Sequence, residues 1–190
     1  MSVLIFIDQS EGHVKKSSLE ALTYGADVAK QLGTTAEAIV LGTVSEDLAA
    51  LGKCGVSKIH QVSNAALNNV DAQVYANVIS ESATACGASV IVFSHNQTGK
   101  AVAARVAAKL KAGLVAGACA LPDTSNGFSV KKTVFSGKAY AHVNILSAVK
   151  VISLNPNSYK TVATEGTAAV EALAVTVNEP KVKITAVNKI

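Results

Sequence analysis

The alternation of short apolar runs with helical stretches, over roughly the first 110 residues, is the feature that most constrains how this chain folds. Four apolar runs have the length of strands, and they are predicted at Val3–Ile7, Ala36–Leu41, Lys58–Val62 and Ser89–Phe93. The stretches between and after them have helical periodicity, and helices are predicted at Ser17–Leu32, Ser45–Leu51, Asp71–Cys86 and from the turn after Phe93 to Lys111. Such alternation forms right-handed βαβ crossovers around a parallel sheet. We therefore expect an open, three-layer α/β fold.

Capping residues predict where two of the helices begin. Ser17 and Glu20 have the spacing of a capping box, so Ser17 is the predicted N-cap of the first helix. Gly33 follows that helix at the position where a left-handed conformation is needed. Thr98 is the predicted N-cap of the last of these helices, which directly follows the polar turn Ser94–Lys100.

The pattern changes after Gly113, where strand-like runs follow one another without helices between them. These runs are Leu114–Leu121, Phe128–Phe135, Ala139–Leu146 and Val149–Leu154, and Asn126-Gly127 is a strong hairpin signal between the first two. We expect an antiparallel β extension, which completes an α/β domain over residues 1–155. Residues 156–190 are predicted to be linker-like and extended, with a linker at Thr161–Thr167 and extended segments at Ala172–Val177 and Val182–Val187.

Composition and charge narrow the class of protein. Nearly half of the 190 residues are apolar, but no apolar run has the roughly 20 residues of a membrane span. The N-terminus resembles a strand rather than a signal peptide, so we expect a cytoplasmic protein without membrane insertion. Residues 1–100 carry six Lys against nine acids (−3), and residues 101–190 carry eleven Lys or Arg against four acids (+7). The basic residues of the second half are scattered without aromatic interleaving, which does not favour a nucleic-acid partner.

The sequence predicts no metal site and no catalytic residue. Cys54, Cys86 and Cys119 lie more than thirty residues apart, and the four histidines are isolated along the chain. No nucleophile elbow, phosphate loop or G-x-G-x-x-G motif is present. His95 stands at the carboxyl end of a strand, yet no nucleophile or carboxylate is near it in sequence. We interpret it as a loop histidine and predict that the chain is not an enzyme.

The polar turn Ser94–Lys100 is the remaining candidate site, because open α/β sheets bind ligands at the carboxyl ends of their strands. Within it, Gly99 and Lys100 are candidate cofactor contacts. Arg105 and Lys109 are four residues apart on one face of the following helix. Two interpretations stay open for these cations: a solvated basic face, or a surface that contacts an anion or an acidic partner.

The run Gly99-Lys100 … Arg105-Val106-Ala107-Ala108-Lys109-Leu110, followed by Phe135-Ser136-Gly137-Lys138-Ala139, resembles the α subunit of electron transfer flavoproteins. The resemblance covers nearly the whole chain and implies an adenine-nucleotide-hydrolase-like βαβ core. It also implies a heterodimer with a β subunit and one FAD, carrying electrons from acyl-CoA and other dehydrogenases towards the respiratory chain, as in fatty acid β-oxidation. Lys100, Arg105, Lys109 and Lys138 are the candidate contacts with the partner subunit.

One departure from the family bears on the cofactor. The family's α subunit has a second domain that holds FAD through Gly-Gly-Arg-Gly and Gly-Gln-Thr-Gly motifs, and neither motif occurs here. We therefore expect a fragment or a stand-alone form of the first domain, a scaffold that binds no FAD by itself, with Pro180–Ile190 as connector. The alternatives are a stand-alone adenine-nucleotide-binding module that uses the turn Asn96–Lys100, and a small hydrolase or lyase that uses His95.

Overall fold

A nine-stranded sheet forms the centre of the computed structural model, which describes residues 1–182 and 184–186. From one edge to the other, the strand order is β11-β5-β4-β1-β6-β10-β7-β8-β9. The strands of this sheet are β1 (Ser2–Ile7), β4 (Thr35–Leu41), β5 (Lys58–Val62), β6 (Ala88–Ser94), β7 (Gly113–Ala118), β8 (Ser129–Val134), β9 (Ala139–Asn144), β10 (Lys150–Leu154) and β11 (Ala169–Ala172). A separate two-stranded ribbon pairs β2 (Gln9–Ser10) with β3 (His13–Val14).

Three helices, α1 (Lys16–Gln31), α2 (Ala72–Ala85) and α3 (Gln97–Leu110), cover the two faces of the sheet. Val3, Ile5 and Ile7 of β1 pack with α1 on one face, and the alternate residues Leu4 and Phe6 pack with α2 and α3 on the other. All six residues of β1 are buried, as expected for a central strand of a parallel sheet that is covered on both sides. The predicted three-layer α/β fold is confirmed.

The capping predictions for α1 and α3 were wrong. The N-cap of α1 is Lys15, which makes no side-chain capping bond, and the Glu20 carboxylate accepts a hydrogen bond from the distant Asn157 amide at 2.7 Å. The Glu20 carboxylate, which a capping box would need, is therefore used in a tertiary contact. The N-cap of α3 is Asn96, whose Oδ1 accepts from the Gly99 amide at 2.9 Å, and not Thr98. The predicted short helix at Ser45–Leu51 is a 3-10 helix at Leu48–Cys54.

The antiparallel extension is confirmed for β7, β8 and β9, which pair antiparallel in that order. The prediction was wrong for the last run, Val149–Leu154, which was assigned to the antiparallel extension. The corresponding strand, β10, lies between β6 and β7 and is parallel to both. Val151–Leu154 are all buried, so this strand needs cover on both faces, which the centre of the sheet supplies and an edge hairpin does not.

Beyond β10, the chain returns across the sheet to its opposite edge. There β11 pairs parallel with β5, and Leu173, Val175 and Val177 then pack against the core cluster that contains α2 and α3. Of the predicted extended segments, Ala172–Val177 is a strand only at its first residue, and Val182–Val187 lies partly outside the described residues, as does the connector Pro180–Ile190. The division into residues 1–155 and 156–190 stays a prediction.

Candidate functional site

The carboxyl ends of β1 and β6 meet at the centre of the sheet, and this is where the polar turn predicted from the sequence lies. From β1 the chain continues into α1 on one face of the sheet, and from β6 it continues into α3 on the other. Diverging connections of this kind open a crevice between adjacent strands, which is the usual ligand position in open α/β sheets. The predicted location of the candidate site is therefore reproduced in the fold.

Asp8 occupies this crevice. Its side chain is 2% exposed, and Oδ2 accepts hydrogen bonds from Lys15 Nζ and Asn96 Nδ2, each at 2.8 Å. Its backbone is also held, because the Ser18 hydroxyl accepts from the Asp8 amide and donates to the Asp8 carbonyl, both at 2.9 Å. A buried carboxylate needs such partners to offset the cost of desolvation. Asp8 thus links the first turn of α1 to the N-terminus of α3.

Gly99 is required for close packing at the start of α3. A Cβ at this position would lie 1.8 Å from the Ser94 carbonyl oxygen, so every other residue would force α3 away from the end of β6. The Gly99 amide already donates to Asn96. The geometry therefore favours a packing role for Gly99, and its role as a cofactor contact, like that of Lys100, stays a prediction.

The residues of this crevice do not fit the pyrophosphate of a flavin or adenine dinucleotide. Anion sites at helix N-termini present free backbone amides and positive charge. Here the buried Asp8 carboxylate would face the phosphates, and the capping side chain of Asn96 occupies the amide of Gly99. No step of flavin chemistry is therefore assigned to these residues.

His95 makes a structural hydrogen bond. Its Nδ1 lies 2.8 Å from the hydroxyl of Ser153, a buried residue of β10. Burial lowers the pKa of the His95 imidazole below its ordinary value, and the charges of Lys100 and Lys132 lower it further. The interpretation of His95 as a loop histidine rather than a catalytic base stays a prediction.

The four candidate partner-contact cations are all exposed but do not form one patch. Lys100 lies at the first turn of α3, close enough to His95 to affect its pKa. Arg105 lines a groove between the start of α2 and the segment around Pro180, and Lys109 lines a second groove beside Glu81 and Asn178. Lys138 follows the turn between β8 and β9. Their role in partner contact stays a prediction.

Exposed aromatic residues surround Lys138, which the sequence did not indicate. Phe135 is 80% exposed and Tyr140 is 59% exposed, and the Lys131 ammonium lies 4.0 Å from the centre of the Tyr140 ring. Phe135 and Ser136 both have positive φ, 50° and 53°, which L-residues adopt at a cost. We call Phe135, Lys138 and Tyr140 the hairpin surface. The turn thus combines two positive-φ residues with a phenyl ring that is left in water.

A second polar cluster lies at the amino ends of the strands and joins Glu37, His60 and Cys86. The prediction of no metal site rested on how far apart such residues lie in the sequence. The one signal in the sequence was that both residues lie on consecutive predicted strands. In the register of β4 and β5, Glu37 pairs with Lys58, so His60 lies two residues further along β5 on the same face of the sheet. The position of Cys86 depends on how α2 packs, which a single sequence does not show.

The sequence model of the electron transfer flavoprotein domain matches residues 3–179. The chain is 26% identical to the electron transfer flavoprotein subunit alpha of Syntrophomonas wolfei, over 90% of this chain and 53% of that protein. It is 27% identical to a probable mitochondrial electron transfer flavoprotein subunit alpha of Cryptococcus neoformans, over 95% of this chain and 53% of that protein.

A third similar protein bears the name of a dehydrogenase subunit rather than of an electron transfer flavoprotein. The subunit LctC of a lactate dehydrogenase (NAD(+),ferredoxin) from Acetobacterium woodii is 26% identical, over 74% of this chain and 34% of that protein. The chain spans about half the length of the α subunits that it matches most fully. Among the residues that the structure describes, no helix combines the length and hydropathy needed to cross a bilayer. The match over residues 3–179 confirms the resemblance seen in the sequence, and the chain belongs to the electron transfer flavoprotein domain family.

Proposed function

We propose that this chain is the scaffold and subunit-interface part of an FAD-containing electron carrier. In this proposal it pairs with a β subunit, and the assembled carrier receives electrons from acyl-CoA and other dehydrogenases and passes them to the respiratory chain. Family membership supports the electron-transfer role, and the relative named as a lactate dehydrogenase subunit supports a dehydrogenase as electron donor.

The hairpin surface is the observation that carries the interface role. β9 forms an edge of the described sheet, and edge strands in water are usually protected by charge, bulges or a covering element. Here the turn before β9 instead exposes Phe135, and β9 itself exposes Tyr140. Aromatic side chains with a nearby cation are the residue types enriched where proteins meet. We therefore assign this surface to the β subunit, with Lys138 facing an acidic group of the partner.

A scaffold part of this kind contributes by fixing the position of the flavin and takes no part in the reaction itself. A carrier needs its flavin held at a constant distance from donor and acceptor, and the protein supplies binding, orientation and electrostatics. A sheet buried on both faces is rigid enough for this, and it offers its edge to the partner. We therefore expect the cofactor contacts to come from parts of the assembled carrier other than the crevice of Asp8 and Asn96.

Co-purification and titration with the cognate β subunit test the interface. Removing the two rings with Phe135→Ser and Tyr140→Ser should weaken association by about tenfold or more, because interface aromatics commonly contribute at least 1.4 kcal/mol. Lys138→Gln should weaken it less and should reduce its salt dependence.

Leu32→Ser and Val70→Ser are matched controls, since both side chains are exposed but lie outside the hairpin. They should leave the dissociation constant unchanged. Undiminished association of the Phe135 and Tyr140 variants would contradict the assigned surface. No association of the folded wild-type chain with the β subunit would contradict the proposed function itself.

A further inference from the structure

The Glu37, His60 and Cys86 cluster lies at the opposite edge of the sheet from the Asp8 crevice. β4 and β5 each contribute one residue, and Cys86 is the C-cap of α2. The Nε2 atom of His60 lies 2.7 Å from Glu37 Oε2 and 3.5 Å from Cys86 Sγ, so one ring nitrogen faces both groups. The three donor atoms all lie within 4.8 Å of one another.

Two of these separations can be compared with those of a tetrahedral metal site. Zinc bonds of about 2.0 Å to nitrogen, 2.1 Å to oxygen and 2.3 Å to sulfur place nitrogen and sulfur about 3.6 Å apart, and nitrogen and oxygen about 3.4 Å apart. The nitrogen–sulfur pair is already at 3.5 Å. The nitrogen–oxygen pair is at hydrogen-bond distance and needs to widen by about 0.7 Å. The Glu37 side chain is 19% exposed and has rotatable bonds that allow this movement.

The surroundings also suit a cation that keeps one open position. The carbonyl end of α2 carries the negative end of the helix dipole beside Cys86. The backbone there is fixed, because the Ser2 hydroxyl donates to the Cys86 carbonyl at 3.2 Å. Glu171 on β11 lies opposite His60 in the sheet register, and its carboxylate is paired with Lys58 at 3.0 Å. Partial exposure of Glu37 gives solvent access to the cluster.

We propose that Glu37 Oε2, His60 Nε2 and Cys86 Sγ bind a Zn²⁺ ion, with water at the fourth position. A thiolate, an imidazole and a carboxylate together suit zinc better than Mg²⁺ or Ca²⁺, which prefer all-oxygen sets. Binding replaces the proton between His60 and Glu37 and the thiol proton of Cys86 with the metal ion. The site is separate from the hairpin surface and does not depend on the proposed electron-transfer role.

Metal titration of the reduced, metal-free 190-residue chain tests this proposal. Competition with a chromophoric chelator gives the Zn²⁺ affinity and stoichiometry, and one ion per chain is expected. Co²⁺ substitution should produce a thiolate-to-metal charge-transfer band in the near ultraviolet together with visible bands of tetrahedral intensity. Cys86→Ser should abolish the charge-transfer band, and His60→Gln and Glu37→Gln should each weaken Zn²⁺ binding by at least about tenfold.

The chain offers matched controls for each ligand. His13 and Glu46 form a second histidine–glutamate pair at 3.1 Å, on the surface and outside the cluster, so His13→Gln should leave Zn²⁺ affinity unchanged. Cys54→Ser and Cys119→Ser control for the other two thiols. Far-ultraviolet circular dichroism of each variant separates loss of a ligand from loss of the fold.

Two further results decide the outcome. A bound ion stabilises the native state by mass action, so saturating Zn²⁺ should raise the Tm of the wild type and not that of a folded Cys86→Ser variant. Lys58→Gln should tighten binding, because it removes a competing cation beside the cluster. Absence of the cobalt charge-transfer band, or equal Zn²⁺ affinity of folded Cys86→Ser and wild type, would overturn the proposal.

Discussion

Asp8 and Gly99 illustrate how single residues determine the chemistry available at the carboxyl edge of the sheet. The carboxylate of Asp8 is buried and is paired with Lys15 and Asn96, so it stabilises the junction of α1 and α3. Gly99 allows α3 to start against the carbonyl of Ser94, and its amide is occupied by a capping side chain. Both residues therefore use their polar groups internally, and the crevice presents no free anion-binding donors from them.

His95 provides a pH-dependent test at the residue scale. Because its pKa is lower in the folded chain than in the unfolded one, unfolding between those two pH values takes up a proton. The free energy of unfolding is therefore unaffected by His95 above about pH 6.5 and falls as the pH drops through the folded pKa. We expect His95→Asn to flatten the acid limb of the stability–pH curve measured by urea denaturation, and to cost about 1 kcal/mol near pH 7 through the lost bond to Ser153.

His142→Asn is the matched substitution for comparison, since His142 is an exposed histidine of β9. A His95→Asn curve parallel to that of the wild type between pH 5 and 7 would contradict the assigned origin of the pH dependence.

At the scale of elements, the return segment between β10 and β11 depends on α1. The Tyr159 ring packs edge-on against Tyr24, with ring centroids 5.4 Å apart, and its hydroxyl donates to Asp27 Oδ2 at 2.6 Å. Asn157 donates to Glu20, and further along Thr164 donates to the carbonyl of Lys53. These contacts hold a segment of irregular backbone on the face of α1 and deliver β11 to the far edge of the sheet.

Loss of the Tyr159 anchor should loosen this segment. We expect Tyr159→Phe to cost about 1.5–3 kcal/mol of stability, because it removes a hydrogen bond to a carboxylate. Tyr159→Ala should cost more than Tyr159→Phe, because it also removes a partly buried ring that packs against the core. Hydrogen exchange should show faster exchange of the Ala168 and Ala169 amides, which bond to Ala49 and Ser57.

Tyr140→Phe is the matched control, because its hydroxyl lies on the exposed hairpin surface. Unchanged exchange at residues 168–172 in Tyr159→Ala would show that β11 is held by other contacts.

At the scale of the whole molecule, the two edges of one parallel sheet have different chemistry. The carboxyl edge between β1 and β6 has a buried carboxylate, and the amino edge at β4 and β5 has the cluster of Glu37, His60 and Cys86. The β8–β9 hairpin then adds an exposed aromatic surface at the β9 end of the strand order. We therefore expect binding of a partner and binding of a metal ion to be separable properties.

This separation leads to a prediction about nucleotides. We expect the isolated chain to bind neither ATP nor FAD at micromolar concentration, because the Lys15 ammonium is already paired with Asp8 and the Gly99 amide is occupied by Asn96. Isothermal titration with each ligand measures this. Micromolar ATP binding that is lost in Lys100→Gln would contradict this expectation and favour the stand-alone nucleotide module.

The sequence by itself determined the α/β class, the parallel direction of the first four predicted strands and the position of the polar turn after β6. It could do so because hydrophobic periodicity, glycine stops and hairpin dipeptides are local signals. Only the tertiary structure decided that β10 lies in the parallel part of the sheet, that Glu20 bonds to Asn157 instead of capping α1, and that Cys86 meets Glu37 and His60. These depend on packing between residues 26 to 137 positions apart, which no local pattern encodes. The crevice was predictable as a position, whereas its occupation by Asp8 required the approach of two helices from opposite faces of the sheet.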